Sequence, residues 1–176
     1  MSPVSPITKD KAAPEVKDVF DTMEKKYGRV PNIFATMAHR PNVLRSFLPF
    51  YGSVTQEGTV EPRYKELAYL KASMLNGCQY CSRAHTAGAQ KVGITKDQIN
   101  ALQFYSSSDL FDEKEKATLL YAERITRGAA GIRGGTLEDL GKYYTEDQIV
   151  ELTLVICAAN FTNRFNDALQ IEPDLG

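Results

Sequence analysis

Cysteine is scarce in this chain, long apolar runs are missing and neither sign of charge prevails. Cys78, Cys81 and Cys157 are the three cysteines in 176 residues. That odd number in a chain this long is not the disulfide framework of a small secreted domain, so a reducing, cytoplasmic setting is expected. The start, MSPVSPITKDKAAPEV, holds no apolar stretch fit for a signal peptide. The longest apolar run, around residues 154–159, falls far short of the roughly 20 residues that cross a bilayer. With 21 Lys and Arg against 22 Asp and Glu, the net charge is -1. Such a chain exerts no bulk attraction on nucleic acid or an anionic membrane, and neither is expected as a partner. Internal repeats, low-complexity tracts and strand-like alternation are also lacking.

What is present is a globular balance, 43% hydrophobic and 24% charged. A chain of this length buries roughly 70% of its unfolded surface and needs no staples. The pattern is helical throughout. After a loose lead-in over residues 1–13, one all-α domain over 14–176 is expected. Pro14 suits a first helical turn, where its missing N–H costs nothing. Val16, Val19, Phe20 and Met23 then line one face until Gly28. A short helix over 33–38 follows, then one over 42–55 that Pro49 should kink or split. The next, over 62–75, has Tyr64, Leu67, Leu70 and Met74 on its apolar side and stops at Asn76-Gly77. Another begins near Cys78 and ends at Gly93. Thr95-x-x-Gln98, Asp112-x-x-Glu115 and Thr145-x-x-Gln148 read as capping boxes. They open helices reaching about Tyr105, Thr126 and Leu169. Residues 128–135 form a Gly-rich loop, and a short helix begins at Thr136. Short connections between amphipathic helices make a helical bundle.

The chemistry concentrates in KELAYLKASMLNGCQYCSRAH, residues 65–85. Cys78 and Cys81 form a C-x-x-C pair at a helix start, where unpaired N–H groups and the helix dipole favour a thiolate. Positions i and i+3 are neighbours, close enough to form a disulfide reversibly. His85, four residues after Cys81, shares its helical face and can serve as a base, directly or through a water. Glu66 lies on the preceding helix. The break at Asn76-Gly77 prevents helical phase from carrying Glu66 to His85, so their meeting rests on packing. If they meet, Glu66 fixes the imidazole tautomer as a triad's third member does.

Two blander readings compete with a redox dithiol. The four residues can hold zinc tetrahedrally in a helical oligomer, or they can simply pack. Cys157 reads as a buried inert thiol. Arg164, Asn160 and Asn163 read as structural polar groups, and His39 as a turn residue. Tyr80 either donates a hydrogen bond at the site or packs, and Arg83 reads as an exposed cation. Arg127 and Arg133 beside the Gly-rich segment make only a weak anion-loop pattern, since no strand precedes it.

Glu66, eleven residues, Cys78-x-x-Cys81, three residues and His85 together resemble the signature of the alkyl hydroperoxidase D (AhpD)-like group of the carboxymuconolactone decarboxylase superfamily. The ending Asn160-Phe-Thr-Asn-Arg-Phe-Asn-Asp resembles its peroxidase-related branch. The resemblance implies an all-helical fold, trimers or hexamers, and reduction of a hydroperoxide substrate with disulfide formation. It makes Cys81 the peroxidatic thiol, Cys78 the more exposed resolving thiol, and Glu66 with His85 a proton relay. It also implies a dihydrolipoyl or other thiol protein as reductant and no cofactor. Tyr80 departs from the pattern, standing where well-studied hydroperoxidases carry histidine. The decarboxylase branch generally lacks the cysteine pair, which speaks against lactone decarboxylation.

Overall fold

Prolines start three of the helices and left-handed glycines stop two of them. The computed structural model describes residues 3–56, 58–132 and 134–174. Among these, nine α-helices follow one another: α1 (Pro14–Tyr27), α2 (Asn32–Met37), α3 (Pro41–Thr55), α4 (Pro62–Asn76), α5 (Gln79–Lys91), α6 (Lys96–Ala101), α7 (Glu113–Gly128), α8 (Gly134–Leu140) and α9 (Glu146–Ala168). No strand occurs among the described residues. Pro14, Pro41 and Pro62 each occupy a first helical turn. All three expected capping boxes form, at Thr95, Asp112 and Thr145.

Helix α4 is the axis of the fold, with α5, α7 and α9 packed around it. Leu67 and Leu70 face one apolar cluster, while Ala68, Tyr69 and Ala72 face another. The helix is therefore buried on more than one side, and the expected single apolar face understates it; Met74 is exposed. Each leucine buried this way stabilises the fold by about 1.5–3 kcal/mol. Two lysines are buried on the same helix with carboxylates: Lys65 with Glu151 at 2.5 Å and Lys71 with Glu123 at 3.1 Å. A third apolar cluster joins α1, α2 and α3 through Val16, Phe20, Ala35 and Leu44.

Several local expectations need correction. Helix α3 is not split at Pro49 but runs through it; packing against α1, α2 and α9 outweighs the loss of one backbone bond. The helix opened by Thr95 ends at Ala101, and Leu102–Ser107 continues as a 3₁₀ segment. The Gly-rich segment is not all loop, because Ala129–Gly131 is a 3₁₀ turn and α8 already begins at Gly134. Cys157 is exposed rather than buried. It lies with Val150, Leu154 and Phe161 on an outward stripe of α9, at spacings of four, three and four residues. The lead-in is docked where it is described: Ile7 N–H bonds to Ala35 O, His39 Nε2 meets Ser5 O, and Ala12 is buried. Residues 1–2, 175–176 and Arg133 lie outside the described residues, and Arg127 pairs with Glu123. No helix among the described residues is long and apolar enough to cross a membrane.

Candidate functional site

Gly77 makes the turn that sets the cysteines. Its φ of 74° ends α4 in the left-handed region, which a residue bearing Cβ enters at a cost. Cys78 N–H then bonds back to Ser73 O, so Cys78 becomes the N-cap of α5. Cys81 sits in the first turn, where its N–H has no partner within the helix. That N–H points at Cys78 Sγ instead, at 3.4 Å.

The Cys78 thiol donates to Cys81 Sγ across 2.8 Å, and both cysteines are free. Both are also buried, Cys78 completely, so it is not the more exposed partner. Helix α9 covers the pair, and its Asn166 Nδ2–H donates to Cys81 Sγ at 3.1 Å. Asn163, whose amide also favours the Cys81 anion, donates through Nδ2 to Ser73 Oγ at 3.1 Å, while its Oδ1 accepts from Asn76 Nδ2 at 2.8 Å. The Cys78 thiol hydrogen bond, with help from the two amides and the His85 charge, outweighs burial and pulls the Cys81 pKa down to about 7. Cys78 moves far upward, because losing its proton would break that bond and bury a second negative charge. The first proton of the pair therefore leaves from Cys81.

A titration tests this asymmetry. In a Cys157→Ser variant, thiolate absorbance should rise through a midpoint near the pKa of about 7, accounting for one thiolate per chain. A pair that stays fully protonated up to the ordinary cysteine value of about 8.5 would refute it.

Glu66 and His85 do meet, with Nδ1 2.9 Å from Glu66 Oε2. Glycine permits that approach, since a Cβ on Gly88 would lie 2.8 Å from Glu66 Oε1. The imidazole stacks on Tyr69, centroids 3.5 Å apart and planes 16° apart. Among the described residues His85 bonds to neither sulfur; its Nε2 faces Tyr51 Oη at 3.5 Å. Tyr51 donates to Tyr69 Oη at 3.0 Å, and Tyr69 meets Thr162 Oγ1 at 2.5 Å. Thr162 in turn donates to the carbonyls of Ala158 and Ala159. A Glu66 carboxylate facing Nδ1 selects the tautomer with Nδ1–H and leaves Nε2 as the basic nitrogen, beside Tyr51 Oη.

The remaining expectations sort plainly. Tyr80 turns away from the sulfurs and donates to Asp174 Oδ2 at 2.5 Å. Arg83 is exposed. Asn160 links Asn76, Arg164 and Thr126 and stays structural. Among the described residues no three His, Cys, Asp or Glu side chains converge as metal ligands. Sequence reasoning passed over Tyr51, Tyr69, Gly88 and Asn166. Only Asn166 left a usable signal, standing three residues after Asn163 on a largely apolar helix.

The profile of the carboxymuconolactone decarboxylase family matches residues 41–124. YdfG of Bacillus subtilis (strain 168), an uncharacterised protein, is 30% identical over 116 residues, which are 65% of this chain and 79% of that protein. A peroxidase-related protein from Silicibacter sp. TM1040 shares the fold with a TM-score of 0.85 and 23% identity, over 98% of this chain and 93% of that one. The debrominase Bmp8, solved as a variant with 2,3,4-tribromopyrrole, shares it at a TM-score of 0.83 and 24% identity, over 99% and 92%. The chain belongs to the carboxymuconolactone decarboxylase family and is AhpD-like, in agreement with the motif of Glu66, Cys78, Cys81 and His85.

Proposed function

We propose that this protein is a thiol peroxidase that reduces organic hydroperoxides through Cys81 and Cys78. The observation that carries the reading is the asymmetric pair, a Cys78 thiol donating to Cys81 Sγ 2.8 Å away. His85, held by Glu66, takes the Cys81 proton through a bridging water. Cys81 Sγ attacks the terminal peroxide oxygen, so an S–O bond forms and the O–O bond breaks. The electron pair leaves on the alkoxide, which takes the proton back from His85 and departs as an alcohol. Cys78 Sγ then attacks the sulfenic sulfur; the S–S bond forms, the S–O bond breaks, and the Cys78 proton leaves with the hydroxide as water. An external dithiol, a dihydrolipoyl protein by family resemblance, restores the pair.

The test is a thiol count before and after one equivalent of cumene hydroperoxide. Two thiols should be lost, map to Cys78 and Cys81, and return with dihydrolipoamide. No loss of thiols would reject the peroxidase.

Gly88→Ala separates the relay from the fold. The new methyl meets only the mobile end of Glu66, and alanine favours a helix over glycine by about 1 kcal/mol. Thermal stability should hold or rise, while hydroperoxide reduction falls roughly tenfold as Glu66 is pushed off His85. Unchanged turnover would remove Glu66 from the relay.

A further inference from the structure

Two amides of α9 favour the Cys81 anion, and they differ in one respect. Asn163 is fully employed, since its Oδ1 accepts from Asn76 and its Nδ2 also serves Ser73. Asn166 donates to Cys81 through Nδ2, but its Oδ1 is buried and has no hydrogen-bond donor among the described residues. The residue is 1% exposed. A buried acceptor without a donor is costly, and natural structures keep few of them. Covalent geometry puts this oxygen about 2.2 Å from its own nitrogen. With Nδ2 3.1 Å from Cys81 Sγ, Oδ1 therefore lies no more than about 5.3 Å from the reacting sulfur.

Resting on the peroxidase reading, we infer that Asn166 is a catalytic residue whose Nδ2–H stabilises the Cys81 thiolate and whose Oδ1 accepts the O–H of the attacked peroxide oxygen. The terminal oxygen of a hydroperoxide carries a hydrogen, and a nucleophile approaches it at roughly 3–3.5 Å. An O–H held at that distance from the sulfur can point to Oδ1. The hydrogen stays on its oxygen as the S–O bond forms and the O–O bond breaks, so Oδ1 next accepts from the sulfenic acid. When Cys78 forms the disulfide and water departs, Oδ1 loses its donor again. A dialkyl peroxide or a carbon–halogen bond presents no hydrogen on the attacked atom and leaves Oδ1 unsatisfied. A site built around such a hydrogen bond selects against substrates that lack it.

The test uses full-length protein carrying Cys78→Ser and Cys157→Ser, so that Cys81 is the sole thiol, reacts once and stops. Asn166→Leu removes donor and acceptor at similar volume, and Asn166→Ala is the second variant in case leucine does not fit. Each is assayed with cumene hydroperoxide and with methyl methanethiolsulfonate, whose electrophilic sulfur bears no hydrogen. The pH lies above both Cys81 titration midpoints, so thiolate fractions are equal. The rate with the thiosulfonate should stay within about threefold, while the hydroperoxide rate falls at least about tenfold. The Cys81 midpoint should rise. Equal losses with both reagents would make Asn166 merely structural, and an unchanged rate ratio would overturn the acceptor role. If the protein without the Asn166 change reacts with the thiosulfonate but not with hydroperoxide, the peroxidase reading fails and the acceptor role with it. The donor role is judged by the Cys81 midpoint, where a rise supports it and an unchanged value overturns it.

Discussion

Replacing Cys81 by serine should abolish hydroperoxide consumption, with a loss of at least about a thousandfold, the scale of removing a nucleophile. Cys78→Ser should behave differently. The first attack survives, since a serine hydroxyl can still donate to the Cys81 thiolate, but nothing resolves the product. A sulfenic acid should accumulate on Cys81, label with dimedone and stop the cycle after one turnover. The argument rests on the direction of the hydrogen bond between the sulfurs. Cys81 receives it, receives the Asn166 amide from α9, and sits nearer His85 along the helix than Cys78 does. Cys78 gives its proton to that bond and has no means of becoming the anion first. Dimedone labelling of Cys78 in a Cys81→Ser variant would reverse the roles.

The second large effect is on stability. Glu151 binds the Lys65 ammonium at 2.5 Å and accepts from the Thr59 and Val60 amides at 2.8 and 3.2 Å. Desolvation pushes the Glu151 pKa up, but Lys65 and the two amides outweigh it and hold it below the ordinary 4.5. Breaking a buried pair on one side costs about 3–5 kcal/mol. For a chain of this size Glu151→Gln should lower the melting temperature by roughly 10 °C. Lys65→Met combined with Glu151→Gln should recover more than half of that loss, because no ammonium then remains in the core. A folded carboxyl pKa below its unfolded value adds stability that is present above the unfolded value and lost as pH falls through the folded one. Acid destabilisation below pH 4.5, the ordinary value, should therefore be shallower in Glu151→Gln. A melting temperature within about 2 °C of the parent would show the pair to be energetically idle.

The C-x-x-C pair and His85 were legible because they lie on one helix, where spacing is geometry. Glu66 was half legible. Its type and its place on the preceding helix were visible, but the angle set by Gly77 and the room left by Gly88 belong to packing. Asn166 is 85 positions from Cys81, and no periodicity links a residue of α9 to a sulfur of α5. Tyr51 and Tyr69 carry no signal in spacing, because their hydroxyls join only through packing of α3 on α4. The reading of Cys157 erred because α9 is apolar on its outer stripe as well, so composition alone cannot tell which face is covered. The split allowed for at Pro49 does not occur for a related reason: propensity is local, and the packing of α3 is not.

The distance along the chain between Cys81 and Asn166 also sets a schedule. A ribosome adds roughly 5–20 residues per second, and the partners are 85 residues apart. During synthesis Cys81 therefore spends on the order of ten seconds without the amide that steadies its charge. For that interval the nascent chain carries unassisted thiols, close to any free cysteine in solution. Cys81 acquires its amide only when α9 has closed over α5, so the dithiol is completed among the last events of synthesis.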